Sequence, residues 1–236
     1  MLFRSAAEGI KKVIDFQNRL IKETRLGIPA TVHEECLTGF TTKGATTFPT
    51  PLGLAATFNE QTVEEVTDVI GRDLRSVGVH HALSPVLDLV RDYRWGRTEE
   101  TMGEDPYISA VMGAAYVRGI EKNGVVATLK HYAGHSSPRV ARNHGPVSMG
   151  WREMYDFMLV PFEIAIREAK VGSVMNSYTD VDGIPCAASE QLLTHVLHDE
   201  LGFDGVVVSD YWAISFLELM HGVAGNKAEA GALALK

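Results

Sequence analysis

The sequence predicts an α/β fold, a partial (β/α)8 TIM barrel in which mostly parallel strands alternate with helices. Three observations predict it. Short apolar runs rich in β-branched residues alternate with stretches of helical periodicity, the pattern of βα units around a parallel sheet. The runs are near-continuous Val, Ala, Ile and Leu, as strands buried on both faces are. Polar and charged residues also gather just after four of these runs, where a closed βα barrel builds its functional rim.

Taken in order, residues 6 to 23 carry a helical pattern with no strand before it, and Ile28 to Val32 is the first candidate strand. Val63, Val66, Ile70, Leu74 and Val77 then repeat at helical spacing, with Asn59 placed to cap the start and Gly78 to end it. Val79 to Leu83 is the second strand. Asp105-Pro106 opens a helix carrying Ile108, Val111, Met112 and Ala115, because proline is tolerated in the first helical turn. Val125 to Lys130 and Ser173 to Ser177 are the third and fourth strands. Ser189 is placed to cap a helix with Leu192, Leu193, Val196, Leu197 and Leu201 inward and Gly202 closing it. Val206 to Ser209 is the fifth strand, and a last helical pattern runs from Asn226 to Lys236. Five strands do not close an eight-stranded barrel, and an open parallel sheet leaves unpaired edges. The expectation is therefore one domain, residues 1–236, forming part of a barrel cut at both ends.

Composition narrows the partners. The 236 residues are 45% apolar and 22% charged, enough for a sizeable core. A formal charge of -8 and a pI near 5.6 argue against nucleic acid or an anionic membrane, both of which need clustered Lys and Arg. A neutral or weakly charged small molecule fits better. Cys36 and Cys186 form no CxxC pair, so no disulfide framework or zinc site follows. The N-terminal residues contain no apolar core of an export signal, which favours a cytoplasmic location if that terminus is genuine. No run approaches the ~18 apolar residues of a membrane span.

The clusters after the strands are His33-Glu34-Glu35, Lys130-His131, Tyr178-Thr179-Asp180 and Asp210-Tyr211-Trp212. The last places an acid at a strand end beside two aromatics, an arrangement suited to sugars, whose apolar faces stack on rings while their hydroxyls bond to carboxylates. Such a carboxylate can attack an anomeric carbon and form a glycosyl intermediate. The same Asp210 could instead cap the following helix. His131 and His135, with His80-His81, also allow a metal-dependent hydrolase, although these histidines follow strands and do not share a helix face.

Five segments resemble glycoside hydrolase family 3, the β-glucosidase and β-xylosidase family. They are RLGIPATVHEECLTG at 25–39, TTFPTPLGLAATFN at 46–59, RDYRWGRTEETMGEDP at 91–106, LKHYAGHS at 129–136, and MNSYTDVDGIP through GFDGVVVSDYW between 175 and 212. The resemblance implies a retaining β-glycosidase acting at the non-reducing end of β-linked oligosaccharides, with no cofactor and no metal. It implies that Asp210 is the nucleophile and that Tyr211 stands where an aromatic lines the sugar subsite. Arg97, Lys130 and His131 would hold the hydroxyls of the sugar being cleaved, Glu35 would accept from its outer hydroxyls, and Met175 and Tyr178 would line the pocket. Lys130 and Arg97 also have Glu100 and Glu104 as candidate ion-pair partners, and Met175 could be core packing. One branch of the family carries an Asp-x-His dyad after the Lys-His pair. Here Arg142 and Asn143 precede His144, so the glucosidase or xylosidase branch is implied, whose general acid comes from a C-terminal domain.

Overall fold

A computed structural model describes residues 6–235. The helix α1 (Ala6–Glu23) precedes the short strand β1 (His33–Glu34), followed by α2 (Pro51–Ala55), α3 (Glu60–Ser76) and β2 (His81–Ala82). Next come α4 (Pro106–Glu121) and the longest strand, β3 (Val126–Tyr132). The short α5 (Trp151–Glu153) and α6 (Val160–Ile164) belong to one helical run interrupted by π turns at Met154–Met158 and Ala165–Ala169, leading into β4 (Ser173–Asn176). A small antiparallel hairpin, β5 (Asp180–Val181) and β6 (Ile184–Pro185), precedes a π-helix over Gln191–Glu200. The strand β7 (Val206–Val208) and the helices α7 (Ala213–Leu219) and α8 (Lys227–Ala234) complete the described chain.

Five strands form one parallel sheet in the order β1-β2-β3-β4-β7. Every crossover runs in sequence order, as in an arc of a βα barrel. The expected caps are present. Asn59 Oδ1 accepts from Thr62 N at 3.1 Å, Asp105 Oδ1 accepts from Ile108 N at 2.8 Å, and Ser189 Oγ accepts from Leu192 N at 3.2 Å. Gly78 and Gly202 end their helices at φ +81° and +70°, the left-handed region that a glycine enters without a Cβ penalty.

The first strand is a correction. Ile28 to Val32, expected as β1, is not a strand, although Val32 O accepts from His80 N and His81 N at its end, and Ile28 is 64% exposed. The strand lies just beyond it, at His33–Glu34. The reason is a side chain of α1: Gln17 Nε2 donates to Ala30 O at 2.7 Å, and Gln17 Oε1 accepts from Ala30 N at 2.8 Å. One amide thus satisfies the backbone groups that a neighbouring strand would otherwise pair. The predicted Asn226–Lys236 helix is α8, and Lys236 itself lies outside the described residues.

The main core sits between the sheet and its outer helices. Ile70 and Leu74 of α3, Tyr116 and Ile120 of α4, and Ala127 and Leu129 of β3 are fully buried in it. The helices α3 and α4 approach closely because Gly71 and Gly119 present no side chain at their crossing. This packing fixes β3 from behind, and β3 carries Lys130 and His131 at its end.

Candidate active site

In a regular strand Lys130 and His131 would point to opposite faces. The pairing of β3 with β4 shifts register between Leu129 and Tyr132. An irregularity of this kind re-aims side chains, and here both neighbours reach one cluster at the C-terminal end of the sheet. Lys130 and His131 are 2% and 1% exposed.

Lys130 Nζ donates to Glu35 Oε2 at 2.5 Å, and Tyr211 Oη donates to Glu35 Oε1 at 3.2 Å. Glu35 therefore joins the end of β1 to the ends of β3 and β7. The Tyr211 ring lies against His33, and burial, then Glu35, pushes its hydroxyl up to about 12. Among the two partners considered for Lys130, neither Glu100 nor Glu104 is used. Glu100 pairs with Arg97 through two bonds, Nε to Oε1 at 2.9 Å and Nη2 to Oε2 at 2.8 Å. Glu104 instead accepts from Tyr93 Oη.

Asp210 lies two residues beyond β7 and is 5% exposed. Its Oδ1 accepts from Tyr211 N at 2.8 Å, while Oδ2 is buried, has no hydrogen-bond partner among the described residues, and lies 3.8 Å from His131 Nε2. The helix that follows, α7, has no side-chain cap, so the carboxylate is not consumed in capping it. Burial raises the Asp210 pKa, opposed in turn by the Tyr178 hydroxyl, the Tyr211 N–H, Lys130 and Arg97. An acid in this setting has its pKa raised by burial, held in check by the donors and cations around it, and one oxygen stripped of water; once ionised, such a carboxylate can act as a nucleophile.

Arg97 joins this group from the loop after β2. Its Nη2 lies 3.2 Å from His131 Nε2 and its Nη1 3.4 Å from His135 Nε2. Burial holds both imidazoles well below the ordinary histidine range, His131 with help from Arg97 and Lys130, so both are neutral near pH 7. Tyr178 is 8% exposed and packs on His144 and Phe216 at ring distances of 4.8 and 5.3 Å. Met175 of β4 is buried yet belongs to neither hydrophobic cluster, and it pairs in register with Val208 of β7.

The metal alternative lacks its convergence. The His131 and His135 rings are 4.5 Å apart, but His80 Nδ1 accepts from Val32 N and His81 Nε2 bonds to Thr128 Oγ1. Among the described residues no three His, Cys, Asp or Glu side chains form a metal-binding group. None of those residues forms a helix long and apolar enough to cross a membrane.

Sequence reasoning missed Asp88, which is 3% exposed and bonds to His131 twice, and the Ser177 hydroxyl behind His135. A signal for Asp88 was present: a lone carboxylate inside the apolar run Pro85 to Val90 must find a partner if that run is buried.

Comparison with known proteins agrees with this arrangement. The profile of the glycosyl hydrolase family 3 N terminal domain matches residues 3–236. A β-xylosidase of Formosa agariphila is 37% identical over 240 residues, covering 96% of this chain and 33% of that protein. A periplasmic β-glucosidase of Salmonella typhimurium is 31% identical, covering 93% of this chain and 29% of that protein. Among solved structures, a β-glucosidase from Erythrobacter marinus superposes with a TM-score of 0.94 at 37% identity, over 98% of this chain and 32% of that one. A β-glucosidase from Listeria innocua in complex with laminaribiose gives 0.89 at 33% identity, over 98% of this chain and 32% of that one. The chain spans about a third of the length of these relatives. Its barrel strands, its strand-end acid and the match over nearly all of its residues together place this chain in glycosyl hydrolase family 3, as the N-terminal domain.

Proposed function

We propose that this chain is the nucleophile-bearing part of a retaining β-glycosidase that removes a β-linked glucose or xylose from the non-reducing end of an oligosaccharide. The observation that carries the reading is Asp210, a buried carboxylate with one unpartnered oxygen at the C-terminal end of β7, facing His131. In this reading Asp210 attacks the anomeric carbon as the leaving oxygen departs, and the glycosyl ester is then hydrolysed by water. Glu35 accepts from sugar hydroxyls, while Lys130, His131 and Arg97 hold others. Met175, Tyr178 and Tyr211 line the pocket. A carboxylic acid of a C-terminal domain protonates the leaving oxygen and later activates the water.

A 2-deoxy-2-fluoro β-glycoside with an activated aryl leaving group tests this, since departure of such a group needs little protonation. Mass spectrometry of the treated chain is expected to show one added sugar mass, mapped to Asp210 and missing from Asp210→Asn. Labelling at another residue would overturn the assignment, and sugar binding with no labelling would favour a noncatalytic sugar-binding module.

A further inference from the structure

Hydrogen-bond polarity around Arg97 contains more than the sugar-site reading uses. A guanidinium donates and never accepts, so the two ring nitrogens facing it, His131 Nε2 and His135 Nε2, must both be acceptors. A neutral imidazole whose Nε2 accepts carries its proton on Nδ1. Each Nδ1 must then face an acceptor, and each does. His131 Nδ1 is 2.7 Å from Asp88 Oδ2, and His135 Nδ1 is 3.0 Å from Ser177 Oγ. Asp88 Oδ2 also accepts from the His131 backbone N–H at 3.1 Å, so the carboxylate grips both ring and main chain of that one residue.

From this we propose that Asp88 is a positioning residue: by keeping the His131 proton on Nδ1, it makes Nε2 an acceptor for Arg97 and so sets the direction of the guanidinium in the sugar site. The chain of bonds runs one way, from Arg97 through His131 to Asp88 and from Arg97 through His135 to Ser177. Of the five N–H groups of Arg97, Nε and one on Nη2 go to Glu100, a second on Nη2 goes to His131, and one on Nη1 goes to His135. One N–H on Nη1 remains for a ligand. Were the His131 proton on Nε2, it would oppose an Arg97 N–H, and Arg97 would have to turn away. The surrounding charges are Asp88, Asp210, Arg97, Lys130 and Glu100. Among the described residues, only Asp88 lies within hydrogen-bond reach of His131 Nδ1.

The effect on ligand binding rests on the sugar-site reading, whereas the tautomer does not, and the test separates them. Long-range proton–nitrogen NMR on histidine-labelled chain near pH ~7.5, where an ordinary histidine is neutral, is expected to show His131 and His135 neutral and protonated on Nδ1. A proton on Nε2 of His131, or an imidazolium, overturns the proposal from the wild-type spectrum alone. In Asp88→Ala the His131 tautomer is expected to become mixed and the affinity for isofagomine to fall about 10- to 100-fold, the scale of losing one charge-assisted hydrogen bond. Asp88→Asn, which keeps an acceptor oxygen in place, is expected to retain the tautomer and bind within about threefold of wild type. If Asp88→Ala loses stability but keeps the tautomer and the affinity, Asp88 is only structural and the proposal fails. Should wild type show the Nδ1–H tautomer yet bind no isofagomine, the sugar-site reading falls and the hydrogen-bond assignment stands.

Discussion

In Gly119→Ala, a methyl group is added where α3 and α4 cross. Helix propensity alone favours the change by about 1 kcal/mol. The added Cβ, however, would lie 2.0 Å from Thr67 Oγ1, 2.6 Å from Glu64 O and 2.9 Å from Asp68 N. Thr67 is fully buried, and its hydroxyl bonds to Val63 O and Glu64 O, so rotating it away strands a buried donor at a cost of about 1–3 kcal/mol. The other two obstacles are backbone, which yields only if the helices separate, by roughly 0.8 Å to restore ordinary contact; that overpacking costs a further ~1–3 kcal/mol. Against the propensity gain, the net destabilisation is about 1–5 kcal/mol, or a Tm lower by at least about 2–4 °C for a domain of this size. Thermal and urea unfolding followed by circular dichroism measure it. Gly231→Ala in α8 is the control. Among the described residues nothing outside its own helix lies within 4 Å of its added Cβ, so the same chemical change should stabilise by up to about 1 kcal/mol. A Gly119→Ala protein as stable as wild type, or more stable, would refute the packing argument. Because α4 packs on β3, sugar binding should weaken in that variant as well.

Three further outcomes follow from the site. Burial raises the Asp210 pKa, and a carboxylate with the role proposed for Asp210 must be ionised to attack, so kcat/KM for an activated aryl glycoside should fall as pH drops through a value above the ordinary 3.8; an acid limb at or below 3.8 would contradict this. The folded state holds His131 and His135 well below 6.5, so stability is fullest above that pH and declines as pH falls beneath it while the unfolded chain takes up their protons. His135→Gln should flatten the slope of unfolding free energy against pH in that window by up to about 1.4 kcal/mol per unit, one proton's worth; an unchanged slope would place His135 outside the coupling. Glu35→Gln removes the carboxylate that faces buried Lys130, but the Glu35 side chain is 49% exposed, so the cost should be about 1–2 kcal/mol and not the 3–5 kcal/mol of a fully buried pair. Lys130→Met in the same chain should recover part of it, and strictly additive losses in the double-mutant cycle would show that the pair is uncoupled.

Much of the architecture is local information, and the sequence by itself determined it. Alternating apolar runs and helical periodicity specify βα units, and Asn59, Asp105 and Ser189 mark helix starts because a side-chain oxygen two or three residues before a free N–H satisfies it wherever the helix packs. The motif residues Glu35, Arg97, Lys130, His131 and Asp210 were legible from their positions after strands and from the family resemblance, and the fold brings them into one linked cluster. Only the tertiary structure moved the first strand from Ile28–Val32 to His33–Glu34, since that depends on Gln17 reaching Ala30 across thirteen residues of sequence. Only it revealed Asp88 and Ser177 as the groups behind the two histidines, each more than forty residues from its partner in the chain. Periodicity records which face of an element is buried. It does not record which donor meets which acceptor across the sheet, and a proton's place on an imidazole is decided by those meetings.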